Sequence, residues 1–195
     1  MIRPSVLETL MAQAEITSFR SHDAETKVGS LIVSKDRNCI ESTGFNGFIS
    51  GANDEDLPNT RPEKYKYIIH SEINALANMA YSGKSTKGCY VVCTHTPCSY
   101  CMRALYQAGI TKVIAKYKYR DFDDIKSMRD MEITESVTSE GFFELNYQAK
   151  KREHLVKVNP ETQVLFQDPL ILLRKQIMRT VKRLIGQAVI AKKKR

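Results

Sequence analysis

His70-Ser71-Glu72 and, past an apolar segment, Pro97-Cys98-Ser99-Tyr100-Cys101 are the stretches from which the rest of this chain is read. One imidazole and two thiolates make three zinc ligands and leave the fourth tetrahedral position to water, the arrangement of a catalytic rather than a closed structural site. A Cys-x-x-Cys turn that opens a helix points both sulfurs one way, and the helix dipole favours their ionised form. Glu72, two residues after His70, lies beside such a metal without binding it. Zinc lowers the pKa of its water to about 7, and a neighbouring carboxylate can take that proton and return it to a leaving group. His70, Cys98 and Cys101 are therefore the expected ligands of one catalytic Zn2+, and Glu72 the expected proton shuttle. A closed structural site with His95 or Cys93 as fourth ligand is the competing reading, and it leaves Glu72 without a purpose.

The flanking pattern alternates. Ser5 with Glu8 reads as a capping box, and Val6, Leu7, Leu10, Met11 and Ala14 recur at helical spacing to about Thr17. Val28–Val33 and Cys39–Thr43, joined by Lys35-Asp36-Arg37-Asn38, read as a hairpin. A long irregular segment to Tyr67 follows, of the kind that is commonly functional. Ile73, Leu76, Ala77 and Ala80 put an apolar stripe on the helix carrying the His-x-Glu motif. Cys89–Thr94 reads as a buried strand delivering Pro97-Cys98, with a helix to Gly109, a strand at Val113–Ala115, a helix over Asp121–Met131 and a strand at Ile133–Val137. The fold class is α/β, a mixed central sheet flanked by helices in three layers, with zinc at helix N-termini beside the sheet.

With 42% hydrophobic and 27% charged residues, the composition is that of a globular protein. No membrane-length apolar segment and no signal-peptide layout appear, so a cytoplasmic enzyme without membrane contact is expected. Five cysteines, an odd number, fit a reducing compartment; Cys39, Cys89 and Cys93 read as plain buried residues. The net charge of +8 sits at one end: residues 150–195 hold 13 Lys/Arg against 3 Asp/Glu, the remainder 17 against 19. Two parts follow, a zinc-dependent domain over 1–137 and a basic extension over 138–195. The extension contains a strand-like Gly141–Tyr147 and an amphipathic helix over about 169–190 that starts at Asp168-Pro169. That helix reads first as packing on the domain or between subunits, then as a nucleic-acid contact, then as a membrane-surface helix.

His-x-Glu followed by Pro-Cys-x-x-Cys is the signature already known for zinc deaminases, so the motif is matched here rather than newly predicted. Arg20-Ser21-His22-Asp23, Lys27-Val28-Gly29, Gly44-Phe45-Asn46-Gly47 with Asp54–Pro58, Arg61-Pro62-Glu63-Lys64-Tyr65 and Tyr119-Arg120-Asp121 narrow it further. Over residues 1–137 the chain resembles the deoxycytidylate (dCMP) deaminases of the cytidine deaminase superfamily. The resemblance implies a cytidine-deaminase-like fold and hydrolytic deamination of dCMP to dUMP and ammonia, supplying thymidylate synthesis. It also implies that Glu72 passes a proton to N3 and then to the departing ammonia. Backbone N–H groups near Ser71 and Cys98 would orient the ring, and Asn46 would bond the sugar. For the 5′-phosphate, Arg20, Lys27 and Tyr119 are the candidates. Family members commonly form homo-oligomers, hexamers among them, and regulated ones respond to dCTP and dTTP, for which Mg2+ with the triphosphate is the expected companion.

Three departures bear on this. The family's His-Ala-Glu is His-Ser-Glu here, its Gly-Tyr-Asn-Gly is Gly-Phe-Asn-Gly, and the proline expected two residues later is Ile49, in the loop that in regulated family members helps bind the effectors. Some viral members carry a second, structural zinc, and His95 is the residue placed for one. The competing functions are a deaminase acting on cytosine or adenine within a polynucleotide, which the basic tail encourages, and a non-catalytic deaminase-fold binding module, which an intact Glu72 opposes.

Overall fold

Cys89-Tyr90-Val91-Val92-Cys93-Thr94-His95 is apolar on both faces, as a strand covered by helices above and below must be, and it forms the central strand β3 (Cys89–His95). The computed structural model describes residues 3–150. Around β3 lie α1 (Val6–Ser18), β1 (Gly29–Ser34), β2 (Ile40–Phe45), α2 (Ser71–Tyr81), α3 (Ser99–Gln107), β4 (Lys112–Tyr117), α4 (Phe122–Lys126), β5 (Met131–Val137) and β6 (Phe143–Ala149), with a 3-10 turn at Glu63–Lys66. The sheet order is β2-β1-β3-β4-β6-β5. β3 and β4 are parallel and every other neighbouring pair is antiparallel.

Strand alternation divides the core in two. Leu31, Val33, Tyr90, Val92 and Ile114 meet Leu10, Met11 and Ala14 of α1. Ile32, Val91, Cys93 and Val113 belong to the other face and meet Ala75 and Met79 of α2, Met102 and Leu105 of α3, and Phe122 and Ile125 of α4. The mixed sheet flanked by helices is the architecture expected. Two glycines set the layer spacing. A Cβ at Gly29 would stand 2.0 Å from the Ala14 carbonyl oxygen of α1, and one at Gly44 would stand 2.3 Å from the Ser71 oxygen and 2.4 Å from the Ala75 nitrogen of α2. Backbone meets backbone at both places, and at Gly44 this seats the first turn of α2, with Glu72, hard against the sheet.

The capping box is present, with Ser5 N–H donating to Glu8 Oε2 (2.6 Å) and Glu8 N–H to Ser5 Oγ (3.1 Å). Other expectations shift. The helix expected over 121–131 ends after Lys126, because Met131 already opens β5. The boundary expected between 137 and 138 falls inside the β5–β6 hairpin; β6 pairs with both β4 and β5 and buries Leu145 and Tyr147, so this compact unit runs through Lys150. Cys39 is exposed after the β1–β2 turn and Cys89 half-buried; only Cys93 of the three is buried. On α2 the buried side chains are Ser71, Glu72, Ala75 and Met79, while Ala77 and Ala80 of the expected stripe are exposed. The helix turns its polar first turn inward to build the site, which leaves Ile73 half-buried and Leu76 packed at the edge of the core and turns Ala77 and Ala80 outward. The helix expected over 169–190 and the Lys192–Arg195 cluster lie outside the described residues.

Candidate active site

His70 is the N-cap of α2, Cys98 the N-cap of α3, and Cys101 lies in the first turn of α3. Two helix N-termini thus converge on one point, and their dipoles favour anionic thiolates there. His70 Nδ1 stands 3.5 Å from Cys98 Sγ and 3.4 Å from Cys101 Sγ, and the three donor atoms lie within 4.8 Å of one another. Zinc bonds of roughly 2.0 Å to nitrogen and 2.3 Å to sulfur put N and S about 3.5 Å apart on a tetrahedral edge. The donor set fits zinc in chemistry and in spacing. His95 and Cys93 stand apart from it: the His95 ring nitrogen Nδ1 bonds Thr94 Oγ1 (3.1 Å) and its ring tilts against Tyr117, while Cys93 Sγ faces Ser30 Oγ (3.0 Å).

The bond from the Cys101 thiol, joined by that from His70, overcomes burial and pulls Cys98 down to about 4. Cys101 is pushed up, because the proton it keeps is the one Cys98 accepts. His70 is raised by its bond to Cys98. Zinc binds cysteine as the thiolate, so the ligand role asks both sulfurs to be ionised. Burial pushes the Glu72 carboxyl up, the direction needed by a group that must hold a proton near neutral pH.

Glu72, His70, Ser71 and Cys98 line a cavity of about 500 Å3, open solvent at its mouth included, together with Asn46, His95 and Tyr119. Asn46 Oδ1 accepts from the Val28 N–H (2.7 Å), and Nδ2 donates to Asp23 Oδ2 (3.0 Å) and the Thr26 carbonyl (2.9 Å). Both of its donors are engaged, and one lone pair on Oδ1 is left for a ligand. Arg20 and Lys27 do not line the cavity. Arg20 is exposed over the Phe45 ring, and Lys27 Nζ donates to the Ser21 carbonyl (2.8 Å).

Other side chains take their place. Lys64 is 2% exposed and donates to both oxygens of Asp23 (2.7 and 2.8 Å) and to Glu25 (2.9 Å). Burial opposes the ionised form of Asp23, but Lys64 and the backbone N–H groups of Thr26 and Glu25 outweigh it and hold its carboxyl below the usual range. Arg61 bridges the same two segments, with Nη1 to Glu25 (3.3 Å) and Nη2 to Thr26 Oγ1 (2.9 Å). At the mouth, Arg61 Nε (2.8 Å) and Arg120 Nη2 (2.5 Å) both donate to the hydroxyl of Tyr65. Burial raises that phenol, but bonds from Arg61 and Tyr119 and the two guanidinium charges hold it below its ordinary value.

The model of the cytidine and deoxycytidylate deaminase zinc-binding region matches residues 4–117. The chain belongs to this deaminase family. It is 36% identical over 129 residues to the deoxycytidylate deaminase of Homo sapiens, covering 63% of this chain and 71% of the human one, and equally to that of Pongo abelii. Among solved structures it is similar to the dCMP deaminase of cyanophage S-TIM5 in complex with dCMP and dUMP, with 34% identity, a TM-score of 0.53, and coverage of 65% of this chain and 93% of that one. The residues expected from sequence as zinc ligands, with Glu72, Asn46 and Tyr119, meet at this cavity. Asp23, Arg61, Lys64 and Tyr65 have no site role assigned from sequence, although they lie in two of the passages that carry the family resemblance.

Proposed function

We propose that this deaminase converts dCMP to dUMP and ammonia, feeding thymidylate synthesis. The observation that carries the reading is the assembly of His70, Cys98 and Cys101 on two helix N-termini with buried Glu72 beside them in a cavity whose mouth is cationic. When bound, zinc supplies the Lewis acid that makes water a nucleophile at neutral pH. Glu72 would take one proton from the attacking water and deliver it to N3 of cytosine, then take the second from the hydroxyl now on C4 and pass it to the amino group, which leaves as ammonia as the C4 carbonyl forms. The backbone N–H groups at the starts of α2 and α3 orient the ring. Asn46 accepts from a deoxyribose hydroxyl through the free lone pair of Oδ1.

For the 5′-phosphate, Arg61, Tyr65 and Tyr119, which line the cavity, are favoured over Arg20 and Lys27, with Arg120 beside them on the Tyr65 hydroxyl. Two guanidinium groups that converge on one phenol oxygen are set up for an anion, and a phosphate oxygen offers more charge than the phenol does. Similarity to the human enzyme and to the S-TIM5 enzyme solved with dCMP and dUMP supports the mononucleotide substrate. The same family reading extends to a cytoplasmic homo-oligomer, with the outward Ala77, Ala80 and Tyr81 of α2 as an available surface, and to dCTP and dTTP as effectors. No helix among the described residues is long and apolar enough to cross a membrane.

A panel of dCMP, cytidine, dCTP and a cytosine-containing single-stranded oligonucleotide, followed by ultraviolet absorbance, tests the reading. Turnover confined to dCMP is expected. Conversion of the oligonucleotide alone would overturn it.

A further inference from the structure

Ser71 stands where the family's usual motif has alanine, and its hydroxyl is not idle. Ser71 Oγ donates to Glu72 Oε2 at 3.0 Å and lies 2.7 Å from Ser30 Oγ of β1, which in turn lies 3.0 Å from Cys93 Sγ of β3. Ser30 and Cys93 are register partners across the β1–β3 ladder, so the row is anchored to the middle of the sheet. Ser30, Ser71 and Cys93 are fully buried and Glu72 is 4% exposed.

While Glu72 is ionised it only accepts, so Ser71 gives it its single hydroxyl hydrogen and accepts from Ser30, which accepts from the Cys93 thiol; once Glu72 holds a proton, the same oxygens stay paired with the hydrogens reversed. Burial pushes that thiol up to about 12, so it keeps its S–H. Beyond Glu72, which faces the cavity, the row ends at the buried Cys93 in the middle of the sheet, so it holds a geometry and is not a relay through the protein.

We propose that Ser71, backed by Ser30 and Cys93, is a positioning residue for Glu72, tying down carboxylate oxygen Oε2 so that Oε1 is presented to the reacting groups. The proposal rests on the reading of Glu72 as the proton-transfer group. A fixed carboxylate loses less orientational freedom at the moment of proton transfer, and bonds in a buried row strengthen one another. An alanine at 71 would remove the side-chain bond that holds Oε2 and leave Ser30 with Cys93 alone.

The test uses the full chain loaded with zinc and the variants Ser71→Ala, Ser30→Ala and the pair together, checked for equal zinc content and thermal unfolding. Two readouts are taken: kcat and KM on dCMP, and the carboxylate stretch of Glu72 in infrared difference spectra, assigned with Glu72→Gln. Ser71→Ala should lower kcat about tenfold with KM within about twofold, the scale of one hydrogen bond to a charged group. Ser30→Ala should lower it about threefold, and the double variant should be no slower than Ser71→Ala, because Ser30 acts only through Ser71. The Glu72 band should shift in Ser71→Ala. An unshifted band, wild-type kcat in Ser71→Ala, or a Ser30→Ala factor that multiplies in full onto that of Ser71→Ala would overturn the proposal. If the wild-type chain leaves dCMP untouched, the substrate reading fails, and the infrared band still decides the positioning role.

Discussion

The inner part of the active site and its mouth are built in different ways. The inner part is local: His70 and Glu72 sit on one helical turn, Cys98 and Cys101 on another, and each helix N-terminus orients its own ligands. The mouth is non-local, stitched together by Lys64 and Arg61 reaching back to Asp23, Glu25 and Thr26 in a different segment of the chain. The proposed chemistry thus rests on short-range placement, and the proposed substrate fit on long-range ion pairs. Inner residues and mouth residues should therefore fail differently when mutated.

Glu72→Gln removes the proton carrier and keeps the shape, so kcat should fall by about 10³-fold or more while zinc content is unchanged, as steady-state rates beside metal analysis would show. Lys64→Ala should destabilise the folded chain by about 3–5 kcal/mol in denaturant unfolding, because it strands the buried Asp23 carboxylate. Arg61→Ala, at the mouth, should raise KM for dCMP about tenfold or more with a smaller change in kcat and little effect on whatever slow turnover of cytidine exists. If Arg61→Ala lost kcat as Glu72→Gln does, the distinction between inner part and mouth would not stand.

A pH dependence sharpens the contrast. The folded pKa of Asp23 is depressed below its ordinary 3.8, so its stabilisation is present above that pH and is lost as pH falls through the folded value. Lys64 is raised above 10.5, since its partners outweigh the burial that opposes its charge, so its stabilisation is full below that pH and fades as pH rises through the folded value. The ion cluster should hold across the range between. In Lys64→Ala the sign at Asp23 reverses, because an unpaired buried carboxyl titrates above its unfolded value. Thermal unfolding between pH 7 and pH 4 should show that variant recovering part of its deficit while the wild-type cluster holds, the wild type losing the Asp23 contribution only below pH 3.8.

The same contrast explains how far the sequence could be read. His70, Glu72, Cys98 and Cys101 announce themselves because motif spacing and helix capping are short-range, and the strand-helix alternation around them gives the layered sheet. Lys64 looks like any loop lysine until the fold buries it, since its partners are set by tertiary approach. Arg20 and Lys27 read as phosphate candidates from the resemblance and their charge, whereas Arg61 is the arginine that lines the cavity, carried there by the approach of the 59–68 segment to the 21–28 segment. β6 was partly visible as a strand, yet nothing local says that it inserts beside β4. Ser71 was visible as a departure, and its hydroxyl row needed the register of β1 against β3.

The ultraviolet rate of dCMP deamination by the zinc-loaded chain, with Glu72→Gln alongside at equal zinc content, tests the central claim most directly. The account predicts turnover to dUMP and ammonia by the wild type and none above background in the variant. A wild-type protein with one zinc per chain that leaves dCMP unchanged, or a Glu72→Gln variant as fast as the wild type, would contradict it.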